Sequence, residues 1–471
     1  MSSWPRAIRI GILVLELCLI GTAVGTGVAY IWRGEPDFEY FYEDGKLLLT
    51  TGAVGRGQDL PDSPGYLERR DPTTLRRDWL RWYWPFIHRF CCPLGLMPWH
   101  VAGVVWITLN LAGGVLAVRW VGRELSGMPP NDWPYTQFVP VVLMTVFWLI
   151  HFRLNQVNLI VLGFMVGAFV AWQRRQSLRG GLLMGVAILL KFTPIFMLLW
   201  FALKRQWRFL AAAIATVVLF GPVADLVIFG PDQALAEYRR WYRDAVVNGS
   251  SRSLIRLENN LDHRNQGLAV TLYRLLHHTD YARRFDEEPR ARRLQREPIY
   301  MNLVDWSPGV VLNIWAVLTF ITFVALVWQC RRPAARTDPF RCRMEWALFM
   351  LAMVWFMPVL RRYHFVWLYP AVAMWLAHGN RCERAGVRSP AIAWVAAVWL
   401  VGMGLVYFRL ARAAGITLWC VLMLGVGLWW RLHRMSRSGD PVARVFADGN
   451  PPGETGSHEA VPLAAITRPS A

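Results

Sequence analysis

Apolar stretches long enough to cross a bilayer dominate this chain, and they decide its fold class first. About ten windows of roughly 18 or more mostly apolar residues recur, each sufficient for ~30 Å of hydrocarbon. Lipid offers backbone N–H and C=O groups no partner, so spanning segments must satisfy them internally. These are too long and too continuous for barrel strands, which alternate. Composition agrees: of 471 residues 55% are hydrophobic, with 26 Trp and 24 Phe, beyond an ordinary soluble domain. The expected fold is all-α and polytopic, with about ten full transmembrane helices plus one broken-helix pair.

A net charge of +19 raises nucleic acid as a partner. The arginines, however, sit in short loops between apolar segments, where they set membrane orientation. No nucleic-acid partner is therefore expected. The seven cysteines are scattered without a CxxC pair, which points to neither zinc nor a disulfide framework. Arg6 and Arg9 flank the start of an apolar run, Ile8 to Trp32, longer than a signal-peptide core. It reads as an uncleaved first span with its N-terminus in the cytoplasm.

A long first loop, 33–98, follows and is expected outside. It opens with Asp37-Phe38-Glu39-Tyr40-Phe41-Tyr42-Glu43-Asp44, an acidic and aromatic cluster at the mouth of span one. Carboxylates this close to hydrocarbon are costly unless hydrated, paired or used. Its aromatic stretch Trp82–Phe90 reads as an interfacial helix. Further spans are expected at 100–121, 138–152, 157–172, 209–229, 309–330, 345–360, 365–377, 391–408 and 416–430. A large loop at 230–307 separates two of them. The membrane domain then covers 1–437, and the Gly/Pro/Ser/Ala-rich tail, 438–471, reads as a disordered cytoplasmic segment.

The segment Gly180–Leu203 decides the topology. It is interrupted by Lys191-Phe192-Thr193-Pro194. If it were one span, Lys204, Arg205 and Arg208 would lie outside, against the charge rule. If it turns back at the break, every basic short loop is cytoplasmic. Each arm has about 11 residues, or about 16 Å of helix, half a bilayer. Proline cannot continue the hydrogen-bond ladder, which suits a break there.

With the hairpin, five polar groups share one side: Asp37, the turn with Gln156 and Asn158, Lys191, the pair Asn265 and Gln266, and Arg361, Arg362 and His364. That grouping suits transfer of a sugar from a lipid phosphate. A hydroxyl acceptor needs a base such as Asp37. A leaving phosphate needs cations and donors such as Lys191, Arg361, Arg362 and His364. The rings of Tyr42, Tyr83 and their aromatic neighbours offer flat apolar surfaces to a sugar or polyprenyl chain. No nucleotide-binding glycine loop is present, so a soluble sugar nucleotide is a less natural donor.

Six motifs carry a resemblance: Asp37-Phe-Glu-Tyr-Phe-Tyr with Gly52 downstream; Tyr83-Trp84-Pro85-Phe86; Asn155-Gln156-Val157-Asn158; Gly181 through Lys191-Phe-Thr-Pro194; Asn265-Gln266-Gly267-Leu268; and Pro358 through His364-Phe-Val-Trp367. In their order and spacing the chain resembles the GT-C superfamily of integral-membrane glycosyltransferases. Within it, the chain is most similar to glycosyltransferase family 87, the polyprenyl-phosphate-mannose-dependent mannosyltransferase-like proteins. The resemblance runs roughly from Asp37 to Pro370. It implies Asp37 as catalytic base, a polyprenyl-phosphate sugar donor, a lipid or glycan acceptor and no metal or other cofactor. A multi-pass protein of the bacterial inner membrane, among membrane lipids and with its site outside, is the matching location. Two departures stand out: Asn155 occupies a position where the family commonly has Gly, and Leu360-Arg361-Arg362-Tyr363 replaces a Ser-Trp-acid run before His364. The rival reading is a transporter or flippase of lipid-linked saccharides, which also uses broken helices. No internal repeat supports it, and its route must open on both faces.

Overall fold

The computed structural model describes residues 6–34, 37–51, 83–128, 133–242, 264–279, 300–357, 359–387 and 390–436. Residues 52–82, 243–263, 280–299 and 437–471 lie outside the described residues, and with them Gly52, Trp82 and Pro358. Among the described residues the chain is helical throughout, with one isolated β-bridge, Asn265 to Arg361.

In chain order the helices are α1 Arg6–Arg33, α2 Phe38–Thr51, α3 Phe86–Gly95, α4 Trp99–Trp120, α5 Trp133–Leu143, α6 Thr145–Leu154, α7 Asn158–Gln173, α8 Ser177–Leu190, α9 Phe196–Leu203 and α10 Trp207–Val218. There follow α11 Ala224–Phe229, α12 Pro231–Trp241, α13 Leu268–Leu276, α14 Pro308–Cys330, α15 Pro339–Trp355, α16 Tyr369–Arg384, α17 Pro390–Leu405, α18 Arg409–Ala413 and α19 Ile416–Arg434. Among the described residues four of these, with their continuations, are long and apolar enough to cross a membrane: Trp99–Leu125, Trp207–Phe229, Pro308–Cys330 and Ile416–Arg434. The count of ten full spans therefore rests on the sequence alone.

The expected single span 138–152 is instead two helices, α5 and α6, bent by 70°. The corner is Met144, at φ −103° and ψ 8°. The Thr145 hydroxyl bonds the Val141 and Val142 carbonyls at 3.2 and 2.9 Å, satisfying groups the bend exposes.

The Lys191 segment does turn back. Trp172, near the end of α7, donates to Gln206 at 2.8 Å, while Asn158, at the start of α7, accepts from Lys191 at 2.8 Å. Between them the chain travels the length of α7 and returns. The neighbours of α8 agree: it runs parallel to α10, with Gly181 against Phe209 and Ala212, Gly185 against Ala213 and Thr216, and Leu189 against Gly221. A Cβ at Gly181 would lie 2.4 Å from the Phe209 carbonyl, so glycine permits this approach. The return arm is a 3-10 turn, Thr193–Ile195, and α9.

One group of basic side chains lies at the end of the bundle where α7 gives way to α8. Buried Lys204 pairs with buried Glu345, which also takes Arg341 Nε at 2.8 Å. Arg174 pairs with Glu124 at 2.5 Å, Arg343 reaches the Leu125 carbonyl at 3.3 Å and Arg381 that of Gly127 at 2.8 Å. The polar groups picked out from the sequence lie at the other end.

Candidate active site

The corner between α6 and α7 organises this other end. Asn155 takes the left-handed conformation, φ 50° and ψ 50°. Asparagine tolerates it better than most residues other than glycine. The Asn155 amide donates to the Gly27 carbonyl at 3.1 Å, and its own carbonyl accepts from Trp106 Nε1 at 2.7 Å. The turn is thereby pinned to α1 and α4.

Two amides leave this turn for different partners. Gln156 Nε2 donates to Asp37 Oδ2 at 2.5 Å, and Gln156 Oε1 accepts from the Tyr83 hydroxyl at 3.0 Å. Because an ionised carboxylate only accepts, the amide nitrogen must face it, and the Tyr83 hydroxyl then donates to the amide oxygen. Burial pushes the Tyr83 phenol well above its ordinary pKa, with Tyr363 and Asp37 adding to the effect. It therefore remains a donor. Asn158 Oδ1 accepts from Lys191 Nζ, and its Nδ2 donates to the Tyr363 carbonyl at 3.1 Å. Trp367 Nε1 closes on the Asn158 carbonyl at 2.9 Å.

Lys191 stands where α8 ends, in extended backbone at φ −154° and ψ 125°. Its Nζ lies 3.0 Å from His364 Nε2. The rings of Trp367, Tyr83 and Tyr363 surround it, with centroids at 5.3, 5.5 and 5.7 Å. Asp37 is within Coulombic reach. Carboxylate, amides, lysine and imidazole thus form one cluster, in which the amides and the imidazole are buried and Asp37 and Lys191 half-buried. Among the described residues no group of three His, Cys, Asp or Glu side chains gathers to hold a metal.

Asn265 and Gln266 are buried and support the cluster from behind. Asn265 Oδ1 accepts from the Gly267 and Leu360 amides at 3.0 and 2.9 Å. Gln266 donates its side chain to the Arg412 carbonyl at 2.9 Å and its backbone to Leu360 at 2.7 Å. Arg274, fully buried, donates to the carbonyls of Asn265 and Ala413 at 3.0 and 2.9 Å. These bonds fix the chain at Arg361, where the 3-10 turn Arg362–Leu368 begins. His364 Nδ1 accepts the Arg361 backbone N–H at 3.1 Å, which sets the ring's orientation. Arg361 lies within Coulombic reach of Tyr363 and His364; Arg362 is half-buried beside it.

Of the side chains expected to bind substrate, Tyr83, Gln156, Asn158, Lys191 and His364 converge with Asp37, and Arg361 and Arg362 border them. Tyr42 does not join them. Its hydroxyl donates to the Met97 carbonyl at 2.9 Å and its ring packs 5.2 Å from Trp99, so it docks α2 on α4. Four residues of the cluster and its shell were not singled out as site residues: Trp106, His151, Tyr363 and Trp367. His151 is fully buried and accepts the Leu159 amide at 3.3 Å. Tyr363 and Trp367 flank His364 in its own motif, and that adjacency was the available signal.

A helical membrane protein with a polar cluster recessed at one end, opposite a basic end, is the class that fold and site define. Residues 79–289 match the model of glycosyltransferase family 87. The match spans Tyr83, Gln156, Asn158, Lys191, Asn265 and Gln266; Asp37 and the Arg361–His364 segment reach them only through the fold. The chain is also similar to a polyprenol-phosphate-mannose-dependent alpha-(1-2)-phosphatidylinositol mannoside mannosyltransferase of Mycolicibacterium smegmatis, 26% identical over 294 residues. That alignment covers 59% of this chain and 54% of the other, so the chain spans about half the length of this curated relative. No solved structure matches. Over residues 79–289 the chain is thus similar to family 87.

Proposed function

We propose that the protein is an integral-membrane glycosyltransferase that moves a hexose, mannose by analogy with its relative, from polyprenyl phosphate to a lipid or glycan hydroxyl at the extracytoplasmic face. Asp37 takes the proton of the acceptor hydroxyl as its oxygen bonds to the anomeric carbon. The bond from that carbon to the phosphate oxygen breaks, and polyprenyl phosphate leaves. Lys191 and His364, with Arg361 or Arg362, hold that phosphate.

One observation carries the reading: a single turn sends Gln156 to Asp37 and Asn158 to Lys191. The base and the phosphate cation are thereby held at a fixed separation, as a two-substrate transfer needs. The extracytoplasmic placement is supported by the basic loops at the opposite end. A transporter reading gains nothing, since the polar groups gather at one end. The test is Asp37→Asn, assayed with a polyprenyl-phosphate hexose and a glycolipid acceptor. A loss of about 10²–10⁴ in turnover is expected for a missing base. Turnover like the wild type's removes Asp37 from the chemistry.

A further inference from the structure

The hydrogen bond from the Arg361 backbone to His364 favours one assignment of protons, and it bears on Lys191. His364 Nδ1 faces the Arg361 backbone N–H at 3.1 Å and must accept from it. A lone pair therefore sits on Nδ1, which excludes imidazolium and places the ring's single hydrogen on Nε2. That Nε2–H points at Lys191 Nζ, 3.0 Å away. An ammonium has three donors and no lone pair, so it would meet this hydrogen head-on. A neutral amine accepts it. The same amine donates to Asn158 Oδ1 at 2.8 Å, and Asn158 cannot present its nitrogen instead, because Nδ2 is bonded to the Tyr363 carbonyl.

Residue choice points the same way. Of 51 lysines and arginines only three are lysine: Lys46, Lys191 and Lys204. Arginine cannot lose its proton in a protein, whereas lysine does so readily when buried. In a chain that uses arginine almost everywhere else, the cluster holds a lysine.

We infer that Lys191 rests as a neutral amine, accepting from His364 Nε2–H, and takes up one proton from solvent when a lipid phosphodiester enters the site. The inference rests on the phosphate-binding role given above to Lys191 and His364. Once protonated, Lys191 no longer accepts from His364. The freed Nε2–H then donates to a phosphate oxygen beside the new ammonium. The charged and titratable groups around Lys191 fit this balance. They are Asp37 after α1, Tyr83 before α3, His151 in α6, and Arg361, Tyr363 and His364 in the 3-10 segment. Burial opposes a charge on Lys191 at rest, while Asp37 and the three rings favour one once an incoming anion adds its own charge.

Three lysines make the test direct. The full chain, made with lysine carrying 13C at Cε and 15N at Nζ, gives three side-chain signals, assigned with Lys46→Arg and Lys191→Arg. Near neutral pH the ligand-free protein is expected to show Lys191 at the amine position and Lys46 at the ammonium position. A short-chain polyprenyl-phosphate hexose, a diester that does not titrate near neutrality, then moves Lys191 to the ammonium position. Calorimetry in buffers of contrasting ionisation enthalpy reads uptake of about one proton per diester bound, and none in Lys191→Arg. An ammonium signal in the ligand-free protein overturns the inference, and so does diester binding without proton uptake. A neutral signal with no diester binding upholds the resting state and sinks the donor assignment instead.

Discussion

Glu345→Gln should loosen the base of the hairpin that carries Lys191. Glu345 is fully buried and its two oxygens serve two cations: Lys204, also fully buried, and Arg341, whose Nε lies at 2.8 Å. Without the carboxylate, Lys204 keeps the Cys330 and Arg332 carbonyls at 3.0 and 2.8 Å, and Arg341 keeps that of Leu432 at 2.9 Å. Carbonyl dipoles do not neutralise charge, and the glutamine NH₂ would confront one of the cations. Breaking a buried pair typically costs about 3–5 kcal/mol, and here one acid serves two partners. A melting temperature lower by on the order of 5–10 °C follows, given the shallow dependence in larger proteins. The assay is thermal unfolding of the detergent-solubilised chain, followed by size-exclusion fluorescence. Replacing all three together (Lys204→Met, Glu345→Leu, Arg341→Met) should cost less than Glu345→Gln, because no charge is then stranded. Glu345→Gln melting with the wild type, or the triple variant melting below it, refutes the reasoning.

Tyr83→Phe removes the hydroxyl that orients Gln156, and one buried acceptor left unpaired costs about 1–3 kcal/mol, so turnover should fall roughly 5- to 150-fold. Its raised phenol value also predicts a stability effect. Above the ordinary tyrosine value of about 10, the unfolded chain ionises while folded Tyr83 does not, so stability falls as pH rises there. Tyr83→Phe should flatten that alkaline slope in a chemical-denaturation series. Asn155→Ala keeps a Cβ at a left-handed φ and loses the bond to Gly27, and should lower stability by about 1–3 kcal/mol; Asn155→Gly should cost less, read as the difference between the two melting curves. Cysteines at exposed Arg205 and Arg336 should label only from the cytoplasmic side of sealed vesicles, and external labelling would reverse the proposed sidedness.

Much of the architecture was legible because two coarse signals carry it. Hydropathy marks the helices, and loop charge marks their ends. Together with Pro194 they put a turn at Lys191 without any contact information. What escaped was set by tertiary packing. The 70° bend between α5 and α6 falls inside an apolar run, four residues after Pro140, and no periodicity fixes where it turns. Tyr42 belongs to an aromatic-rich motif, but which face of α2 meets α4 is decided in three dimensions. Asn265 and Gln266 look like ligand-binding amides, yet their side chains fix the backbone at Leu360 and Arg412. Trp106 reaches the site only because it caps the Asn155 carbonyl from another helix.

The departure at Asn155 shows how a local exception supports the whole site. Its φ of 50° suits glycine first and asparagine next. Asparagine adds what glycine lacks, a side-chain bond to α1 at Gly27. That bond ties the turn to the helix whose end releases Asp37. Three constraints then meet in four residues: the corner itself, the amide that holds Asp37 and the amide that holds Lys191. Neither side chain needs a rigid element of its own, since Asp37 comes from a loop and Lys191 from a hairpin tip. Their separation is set by the Asn155–Asn158 turn, and a shift of that turn would move both together.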